Sequence, residues 1–408
     1  MKVLINGAGI GGLTAALMLH ARGIEVEIHE AAPELRELGV GINVLPHAIR
    51  ELAELGLLPE LDRIAIRTRE LIYMNRQGQE IWRELRGVEQ GQDYPQFSIH
   101  RGFMHKMLAD AVRARLGDKA ITLSSRGIGF EQDAGEARLL LEGGGKAAGD
   151  VLLGADGIHS AIRRQMFPDE PGLKWNGVMM WRGAIEADPL ADGRTMIVAG
   201  GFETKLVLYP IAPGTTPGKV LMNWVVCHRP GKEGDVAPKR EDWNRRGTLE
   251  ELMPLARAFG VDVIDLPALV RATPEFLEYP MADRDPLPSW TDGRVTLLGD
   301  AAHPMYPVGS NGASQAIIDG RALADLLAAQ DPIPALAAYD AARRPATAQV
   351  VAMNRQGGPE GVIDEVERRA PDGFADLDAV ITQEERAAIV RGYASTAGFS
   401  AEQTRMRA

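Results

Sequence analysis

Glycines near the start of the chain have the spacing needed to bind a phosphate group. The run from Gly7 to Gly12 reads G-A-G-I-G-G and matches G-x-G-x-x-G, with an apolar stretch before it and a helical stretch after it. Such glycines form a tight turn and let a pyrophosphate approach the backbone, and the following helix offers free N–H groups. Glu30 ends the next predicted strand, at the offset of an acid that binds a ribose hydroxyl. The stretch therefore predicts a dinucleotide-binding βαβ unit.

Three further motifs of small residues occur later in the chain. Residues 154–157 read G-A-D-G and residues 299–303 read G-D-A-A-H, and each motif follows an apolar run that is typical of a buried strand. Residues 307–312 read P-V-G-S-N-G and precede a stretch with helical spacing. Because small residues let a ligand approach the backbone, these turns are candidate parts of the same site.

The composition excludes several kinds of partner. The chain has 408 residues, 45% of them hydrophobic, which is enough for two packed domains or one large domain with an insertion. Its net charge of −11 argues against a nucleic acid or an anionic membrane. We expect neither a membrane span nor a secretory signal, because glycines interrupt the first apolar run. The single cysteine, Cys227, suits the cytoplasm, and the absence of clustered Cys and His predicts no metal.

The middle of the chain is rich in predicted strands. Residues 178–226 contain apolar runs separated by glycine and proline turns, which favours an antiparallel sheet over βαβ units. Residues 71–74 and 80–83 flank a polar turn and predict a hairpin. We therefore predict an α/β fold with a second, strand-rich domain.

Taken in order, the glycine motifs resemble those of the single-component FAD-dependent aromatic hydroxylases, the class of the p-hydroxybenzoate and salicylate hydroxylases. The resemblance covers the chain from Met1 to about Arg355. Shorter segments are similar to the phenazine branch of this family, the 5-methylphenazine-1-carboxylate 1-monooxygenases. They are GVGIN at 39–43, YPQFSIHRG at 94–102, MWRG at 180–183, YPMADRDPLPSW at 279–290 and GSNGASQAI at 309–317.

The resemblance implies an FAD-binding Rossmann-like domain of the GR2 type. A substrate domain built on a mostly antiparallel β-sheet would be inserted into it, and C-terminal helices would follow. We expect the tail to pack on the second domain or on another subunit. The predicted boundaries are 1–69, 97–175 and 278–356 for the FAD-binding domain, 70–96 and 177–277 for the substrate domain, and 357–408 for the helical tail.

The family pattern also implies cofactor contacts for individual residues. Glu30 would bind the adenosine ribose, Arg101 would reach the phosphates or the ribityl chain, and Asp300 would accept a hydrogen bond from a ribityl hydroxyl. Asp156 and Gly157 match a turn linked to the pyrophosphate, although a plain turn role explains Asp156 equally well. The predicted cofactor-binding set is Gly7, Gly9, Gly11, Gly12, Glu30, Gly41, Arg101, Ile128, Asp156, Gly157, Asp300, Pro307, Gly309, Asn311 and Gly312.

The loop at 307–312 is expected to lie along the isoalloxazine ring. Reduced flavin carries negative charge near N1 and O2. The N-terminus of the helix that opens near Gly312 would direct positive dipole and free N–H groups towards that charge. Such an arrangement favours the anionic reduced form, which reacts with oxygen.

Substrate residues are expected on the strand-rich domain, facing the flavin loop. Arg182 is the most informative, because a charge in an aromatic strand needs a partner, and a substrate carboxylate is one candidate. His47 and His303 could deprotonate a phenol, but a capping or core role is the simpler explanation, and we assign no catalytic residue. The candidate lining residues, for each of which an ordinary role in the strand core is the simpler explanation, are Trp181, Arg182, Tyr209, Met222 and Trp224.

The function implied by the resemblance is hydroxylation of a small carboxylated aromatic or heteroaromatic molecule of the phenazine or salicylate type. NADH or NADPH would reduce FAD, O2 would form a flavin C4a-hydroperoxide, and the distal oxygen would pass to the ring. The single G-x-G-x-x-G indicates that NAD(P)H binds transiently. A flavoprotein oxidase or reductase and a non-catalytic flavin-binding protein remain alternatives. We expect a cytoplasmic monomer or homodimer.

Overall fold

The computed structural model describes residues 1–37, 39–238, 245–398, 400 and 403. The strands are β1 Lys2–Asn6, β2 Glu25–His29, β3 Gly41–Val44, β4 Ile66–Thr68, β5 Glu70–Met74, β6 Glu80–Leu85, β7 Gln96–His100, β8 Ile121–Thr122, β9 Gly127–Gln132, β10 Ala137–Leu141, β11 Lys146–Gly149, β12 Val151–Gly154, β13 Lys174–Ala187, β14 Thr195–Ala199, β15 Thr204–Pro213, β16 Val220–His228, β17 Phe276–Asp283, β18 Thr291–Asp292 and β19 Val295–Leu297. The helices are α1 Ile10–His20, α2 Pro46–Glu54, α3 Leu58–Ile64, α4 Arg101–Leu116, α5 Ala161–Met166, α6 Leu249–Ala256, α7 Leu266–Ala272, α8 Gly312–Ala329, α9 Pro332–Arg355, α10 Gly361–Arg369, α11 Leu377–Val380 and α12 Gln383–Thr396.

A mainly parallel sheet brings the glycine motifs together. Its strand order is β18-β19-β12-β1-β2-β8, and only the β18–β19 pair is antiparallel. β1 is apolar and buried because α1 covers the sheet and packs against α4 and α8. The adjacent strands β1, β12 and β19 lead into the three motifs: β1 ends one residue before Gly7, β12 ends at Gly154, and β19 ends two residues before Gly299. Parallel neighbours have their carboxyl ends at one edge, so the three motifs meet there.

A second, larger sheet is mostly antiparallel. Its order is β17-β13-β16-β15-β14-β5-β6, and the β14–β5 pair is parallel. The predicted hairpin is confirmed as β5 and β6. One face of this sheet packs against α6 and α7 around an apolar core. The other face is turned towards β3 and the loop at 307–312, so the region between the two sheets holds the candidate site.

Two smaller sheets complete the strand pairing. β3, β7 and β4 form one of them, and β9, β10 and β11 form the other. β7 runs directly into α4, which places Arg101 at the first position of that helix. β3 starts at Gly41 and contacts β15 of the larger sheet, so it joins the two halves of the site.

The tail packs on the rest of the chain. α10 buries Val362, Ile363 and Val366 against the face of the larger sheet that carries Leu71 and Tyr73. α12 lies beside α9 and reaches the loop at 307–312 through Tyr393. Within the residues that the structure describes, no helix combines the length and the apolar composition needed to cross a bilayer.

Candidate active site

The glycine turn after β1 is tightly packed except at one position. Gly7 has a φ of +112°, which favours glycine. A Cβ added to Gly12 would lie 2.1 Å from the carbonyl oxygen of Gly7. A Cβ added to Gly11 would lie 2.6 Å from the Leu298 side chain. At Gly9, no atom of the described residues lies within 4 Å of the Cβ position. Gly9 therefore borders the space that a pyrophosphate needs, while the other glycines allow the turn to pack.

A cavity of about 420 Å³, here the nucleotide cavity, opens beside this turn. Glu30 borders it and holds the neighbouring backbone: one carboxylate oxygen accepts the N–H of Ala8 and the other accepts the N–H of Ala32, both at 2.8 Å. Each carboxylate oxygen can accept a second hydrogen bond, so Glu30 keeps capacity for a ribose. The lining is Ala8, Gly9, Glu30, Ala32, Pro33, Glu34, Leu35, Arg36, Arg101 and His105.

A second cavity of about 310 Å³, here the central cavity, lies at the carboxyl ends of β1, β12 and β19. Most of the predicted cofactor residues converge on it, together with two residues of the larger sheet. Its lining is Gly9, Ile10, Gly11, Gly41, Ile42, Asn43, Arg101, Ala155, Gly157, Arg182, Tyr209, Leu298, Gly299, Asp300, Met305, Pro307, Ser310, Asn311, Gly312, Ala313 and Ala316.

Arg101 borders both the nucleotide cavity and the central cavity. Its side chain is exposed, and among the described residues the guanidinium has no hydrogen-bond or ion-pair partner. A free guanidinium that borders two neighbouring cavities suits a phosphate or a hydroxylated chain. This placement supports the predicted role of Arg101.

Asp300 projects into the central cavity from the turn after β19. Its carboxylate is open to the cavity, and the surrounding protein raises its pKa above the usual range. No described residue forms a hydrogen bond with its side chain. The carboxylate is therefore an available acceptor for a ligand hydroxyl.

Asp156 has a different role from the pyrophosphate contact considered above. Its carboxylate accepts hydrogen bonds from the Asn6 amide at 3.0 Å, the Ser160 hydroxyl at 2.5 Å and the Ala161 N–H at 2.7 Å. These bonds satisfy the first turn of α5, as N-terminal capping requires. The expectation for Asp156 is corrected to a structural one, whereas its neighbour Gly157 does line the central cavity.

The loop from Pro307 to Gly312 closes one side of the central cavity. Its backbone is unusual, because Gly309 and Ser310 have φ values of +64° and +59°. Serine rarely adopts such a conformation, so the surroundings must hold it. Asn311 is fully buried, and α8 begins at Gly312 with its N-terminus beside the cavity. The positive end of α8 is therefore available to an anionic group, as the sequence predicted.

Gly41 is clamped by the larger sheet. Its N–H donates to the Asn223 side-chain oxygen at 2.8 Å, and its carbonyl accepts from the Tyr209 hydroxyl at 2.8 Å and from Arg182. Arg182 also donates to the Tyr279 hydroxyl at 3.1 Å. Arg182 thus has protein partners and joins β13 to β3, although its side chain still borders the central cavity. Its Nε is buried without a hydrogen-bond partner among the described residues, so a contact between Arg182 and a substrate carboxylate stays a prediction.

The remaining predicted lining residues lie on the opposite face of the larger sheet. In the register of β13 and β16, Arg182 pairs with Val225 and Gly183 with Trp224, so neighbouring positions alternate between faces. The lining expectation is therefore corrected for the three members of the core beneath α6 and α7. They are Trp181, Met222 and Trp224.

Two other predicted residues lie apart from these cavities. Ile128 is 53% exposed on β9 and lines neither the nucleotide cavity nor the central cavity, so its cofactor role stays a prediction. His303 is buried, 2.5 Å from the Asp319 carboxylate, which also accepts from Arg343 at 2.7 Å. This arrangement agrees with the core role for His303 rather than with a base. His47 is also buried, on α2.

A third cavity of about 340 Å³, here the sheet cavity, shares Ser310 with the central cavity. It lies over the face of β5 and β14 that is turned away from α6 and α7, and α12 closes it. Its lining is Leu45, Leu71, Tyr73, Glu84, Arg86, Gln90, Gln96, Met196, Val198, Gly309, Ser310, Pro359, Glu360, Val390, Arg391, Tyr393, Ala394, Ser395 and Ser400.

Sequence reasoning did not find Asn223, Tyr393 or Arg86. Asn223 had a readable signal, because it is a polar residue inside the apolar run VLMNWVVCH and a buried amide needs a partner. Tyr393 and Arg86 lie in charged segments without a motif. Their positions depend on how the tail and the hairpin fold back over the site.

The described residues fit FAD. Open space at Gly9, an unpaired guanidinium at Arg101 and an unpaired carboxylate at Asp300 follow one another from the glycine turn to the loop at 307–312. The order of these groups in space suits the order of the parts of FAD, which are the pyrophosphate, the ribityl chain and the isoalloxazine ring. The helix N-terminus at Gly312 stands where the ring would end.

Comparison with known proteins identifies the family. A family model described as an FAD binding domain matches residues 1–354. The chain is 45% identical over 363 residues to phenazine 1,6-dicarboxylic acid hydroxylase PhzS of Lysobacter antibioticus, covering 86% of this chain and 89% of that protein. It is 31% identical over 370 residues to 3-hydroxybenzoate 6-hydroxylase 1 of Aquipseudomonas alcaligenes, covering 87% of this chain and 88% of that protein.

Solved structures share the fold. HpxO of Klebsiella pneumoniae, crystallised with FAD and uric acid, has a TM-score of 0.77 at 24% identity, covering 97% of this chain and 96% of that chain. The fold, the converging glycine motifs and the sequence relatives agree. The chain therefore belongs to the FAD-dependent aromatic hydroxylases, and it is a flavin monooxygenase that uses FAD, NAD(P)H and O2.

Proposed function

We propose that the chain hydroxylates a carboxylated fused-ring aromatic molecule of the phenazine class, bound in the sheet cavity. The observation that carries this proposal is the position of that cavity, which meets the central cavity at Ser310. Its volume of about 340 Å³ lies within the usual range for small-molecule sites. The relative that is 45% identical hydroxylates phenazine 1,6-dicarboxylic acid, which supports the same substrate class.

The cofactor would occupy the nucleotide and central cavities. We infer that Gly9, Glu30, Arg101 and Asp300 hold its phosphate and sugar groups, and that the loop at 307–312 lies along its ring. When bound, FAD supplies hydride acceptance from NAD(P)H and activation of O2. The chain's own task is to orient the aromatic ring and to keep water away from the reacting atoms.

The walls of the sheet cavity suit a flat aromatic ring. Leu71, Met196 and Val198 form an apolar surface on adjacent strands, and Leu45 extends it towards β3. The Tyr73 hydroxyl adds a polar group, and burial raises the pKa of this phenol well above its usual value. Tyr73 therefore stays protonated and can donate a hydrogen bond to the substrate.

Arg86 is the proposed partner of the substrate carboxylate. Arg86 is 9% exposed. Its guanidinium forms an ion pair with Glu84 and donates a hydrogen bond to the Tyr73 hydroxyl at 3.5 Å. Its Nε is buried without a hydrogen-bond partner among the described residues. A buried guanidinium that keeps one unsatisfied N–H favours a carboxylate over a neutral group.

The first experiment measures NAD(P)H oxidation and O2 uptake on the FAD-loaded protein, with products analysed by mass spectrometry. The panel contains phenazine-1-carboxylic acid, phenazine 1,6-dicarboxylic acid, unsubstituted phenazine, 3-hydroxybenzoate and salicylate, each with NADH and with NADPH. We expect stimulation by the phenazine acids and a product heavier by one oxygen, or with hydroxyl replacing carboxyl. Turnover of the benzoates alone would contradict the proposed substrate class.

A matched pair of variants tests the carboxylate site. Arg86→Met should raise the KM of the phenazine acid by roughly 10- to 100-fold, the equivalent of one charge-assisted hydrogen bond. The KM of unsubstituted phenazine should not change. Arg391→Met serves as the control, because Arg391 is an exposed residue of the same cavity. A larger rise in the KM of the phenazine acid with Arg391→Met would contradict the assignment of Arg86. So would an equal rise with Arg86→Met in the KM of the acid and of unsubstituted phenazine.

A further inference from the structure

The C-terminal helix α12 contacts the loop at 307–312 through one buried side chain, Tyr393. Tyr393 is 1% exposed, and its ring packs against Gly309. A Cβ added at Gly309 would lie within 2.3 to 2.4 Å of the hydroxyl oxygen and ring carbons of Tyr393. The close approach therefore requires glycine at 309 and fixes the backbone of the loop from one side.

The Tyr393 hydroxyl is the centre of a hydrogen-bond network. It accepts a hydrogen bond from the Asn311 side-chain amide at 2.9 Å and donates one to the Asn354 side-chain oxygen at 2.7 Å. The Val308 carbonyl oxygen is a second acceptor, at 3.3 Å. Asn354 in turn donates to the Tyr306 carbonyl at 3.0 Å. Tyr393 therefore holds four residues of the segment 306–311. Its hydroxyl bonds residues 308 and 311 directly and residue 306 through Asn354, and its ring packs on residue 309.

The loop needs such support because its conformation is unfavourable. Gly309 and Ser310 are consecutive residues with positive φ, a conformation that serine rarely adopts unless its surroundings hold it. Ser310 also lines both the central cavity and the sheet cavity. A change in this turn would alter the relation between the flavin ring and the aromatic substrate.

We propose that Tyr393 is a positioning residue: its hydroxyl holds the 307–312 loop in the conformation that binds the flavin ring and couples NAD(P)H oxidation to hydroxylation. The tail therefore belongs to the site, although Tyr393 lies 82 residues from Asn311 in the chain. The identity of the aromatic substrate does not enter this proposal.

The test compares Tyr393→Phe with Tyr339→Phe. Tyr339 is equally buried, and its hydroxyl donates to the Leu297 carbonyl at 3.1 Å, so both variants lose a buried phenol hydroxyl. Two readouts are measured: the Kd for FAD with the visible circular dichroism of the bound flavin, and the ratio of hydroxylated product to NAD(P)H consumed. The first readout requires no aromatic substrate.

For Tyr393→Phe we expect a Kd for FAD raised about threefold to tenfold, a changed flavin dichroism and a lower product ratio. Tyr339→Phe should leave all three at wild-type values. Equal behaviour of the two variants would overturn the proposal. So would a changed product ratio with unchanged FAD binding and dichroism, because Tyr393 would then act on the substrate alone.

Asn354→Ala provides an independent variant if Tyr393→Phe folds poorly. It removes the acceptor of the Tyr393 hydroxyl without touching either cavity lining. We expect the same loss of FAD affinity, and we expect the double variant to be no worse than the more affected single variant. Fully additive effects would show that the two side chains do not act through one network.

Discussion

The side-chain oxygen of Asn223 accepts the backbone N–H of Gly41 at 2.8 Å, which fastens β3 to the larger sheet. The surroundings leave no room for a larger residue, because a Cβ at Gly41 would lie 2.5 Å from the Ile211 side chain, 2.8 Å from the Tyr209 ring and 2.9 Å from the Asn223 side chain. Gly41 borders the central cavity, so a buried amide of the larger sheet determines where the backbone of β3 lies beside that cavity.

Replacing Asn223 with alanine should weaken both the fold and FAD binding. The buried N–H of Gly41 would lose its acceptor, at a cost of about 1–3 kcal/mol in the free energy of unfolding. Urea unfolding and FAD titration measure the two effects. Asn176→Ala is the control, since Asn176 is buried in the same sheet and accepts the Val178 N–H at 3.1 Å. An unchanged Kd for FAD in Asn223→Ala would contradict the role of this contact.

Two glycines of the first turn should respond differently to alanine. At Gly9 the new methyl group would enter open space, so the apoprotein should keep its unfolding midpoint while FAD binding falls. At Gly12 the methyl group would lie 2.1 Å from a backbone oxygen, so the protein itself should be destabilised. Thermal unfolding of both apoproteins and FAD titration distinguish the cases. Equal destabilisation at both positions would refute the distinction.

The two faces of the larger sheet can be separated with a pair of methionines. Met222 is 0% exposed beneath α6 and α7, whereas Met196 borders the sheet cavity. Met222→Ala should cost about 2–5 kcal/mol of stability and leave the KM for substrate unchanged. Met196→Ala should change the KM or the product ratio more than the stability. The reverse pattern would place the substrate on the other face.

Asp300→Ala should yield protein that purifies largely without flavin. The Asp300 carboxylate has no hydrogen-bond partner among the described residues, so its removal should leave apoprotein stability nearly unchanged. Absorbance of the purified protein at flavin wavelengths gives the FAD content. Normal flavin content in this variant would exclude Asp300 from the site.

Asp319 gives a prediction about pH. Burial by itself would raise its pKa, but His303 and Arg343 outweigh burial and lower it. A lowered folded-state pKa contributes stability above the ordinary carboxyl range, and this stability is lost as the pH falls through the folded-state value. Asp319→Asn should therefore cost about 3–5 kcal/mol at neutral pH, and its difference from wild type should shrink in acid. A difference that is constant with pH would contradict this account.

Much of the lining of the nucleotide and central cavities was predictable because its signal is local. Gly7, Gly9, Glu30, Asp300 and the loop at 307–312 lie within short motifs whose glycines and following helices create the geometry themselves. The predicted α/β fold, with its mostly antiparallel second sheet, was confirmed for the same reason, since apolar runs and turn residues define strands locally.

The tertiary structure decided which strand residues face the site. Alternation shows that Arg182 and Trp181 lie on opposite faces, but it does not show which face is turned to β3. That choice depends on α6 and α7 covering one face, which brings Tyr209 and Asn223 to Gly41.

The sequence by itself determined the family, the fold class and the order of the cofactor motifs, because each is written in residues that are neighbours along the chain. The tertiary structure alone assigned Asp156 to a helix cap, placed Tyr393 against Gly309 and put Arg86 in a cavity beside Ser310. These contacts join residues far apart in sequence. Their partners are determined by packing of whole elements, which no local pattern encodes.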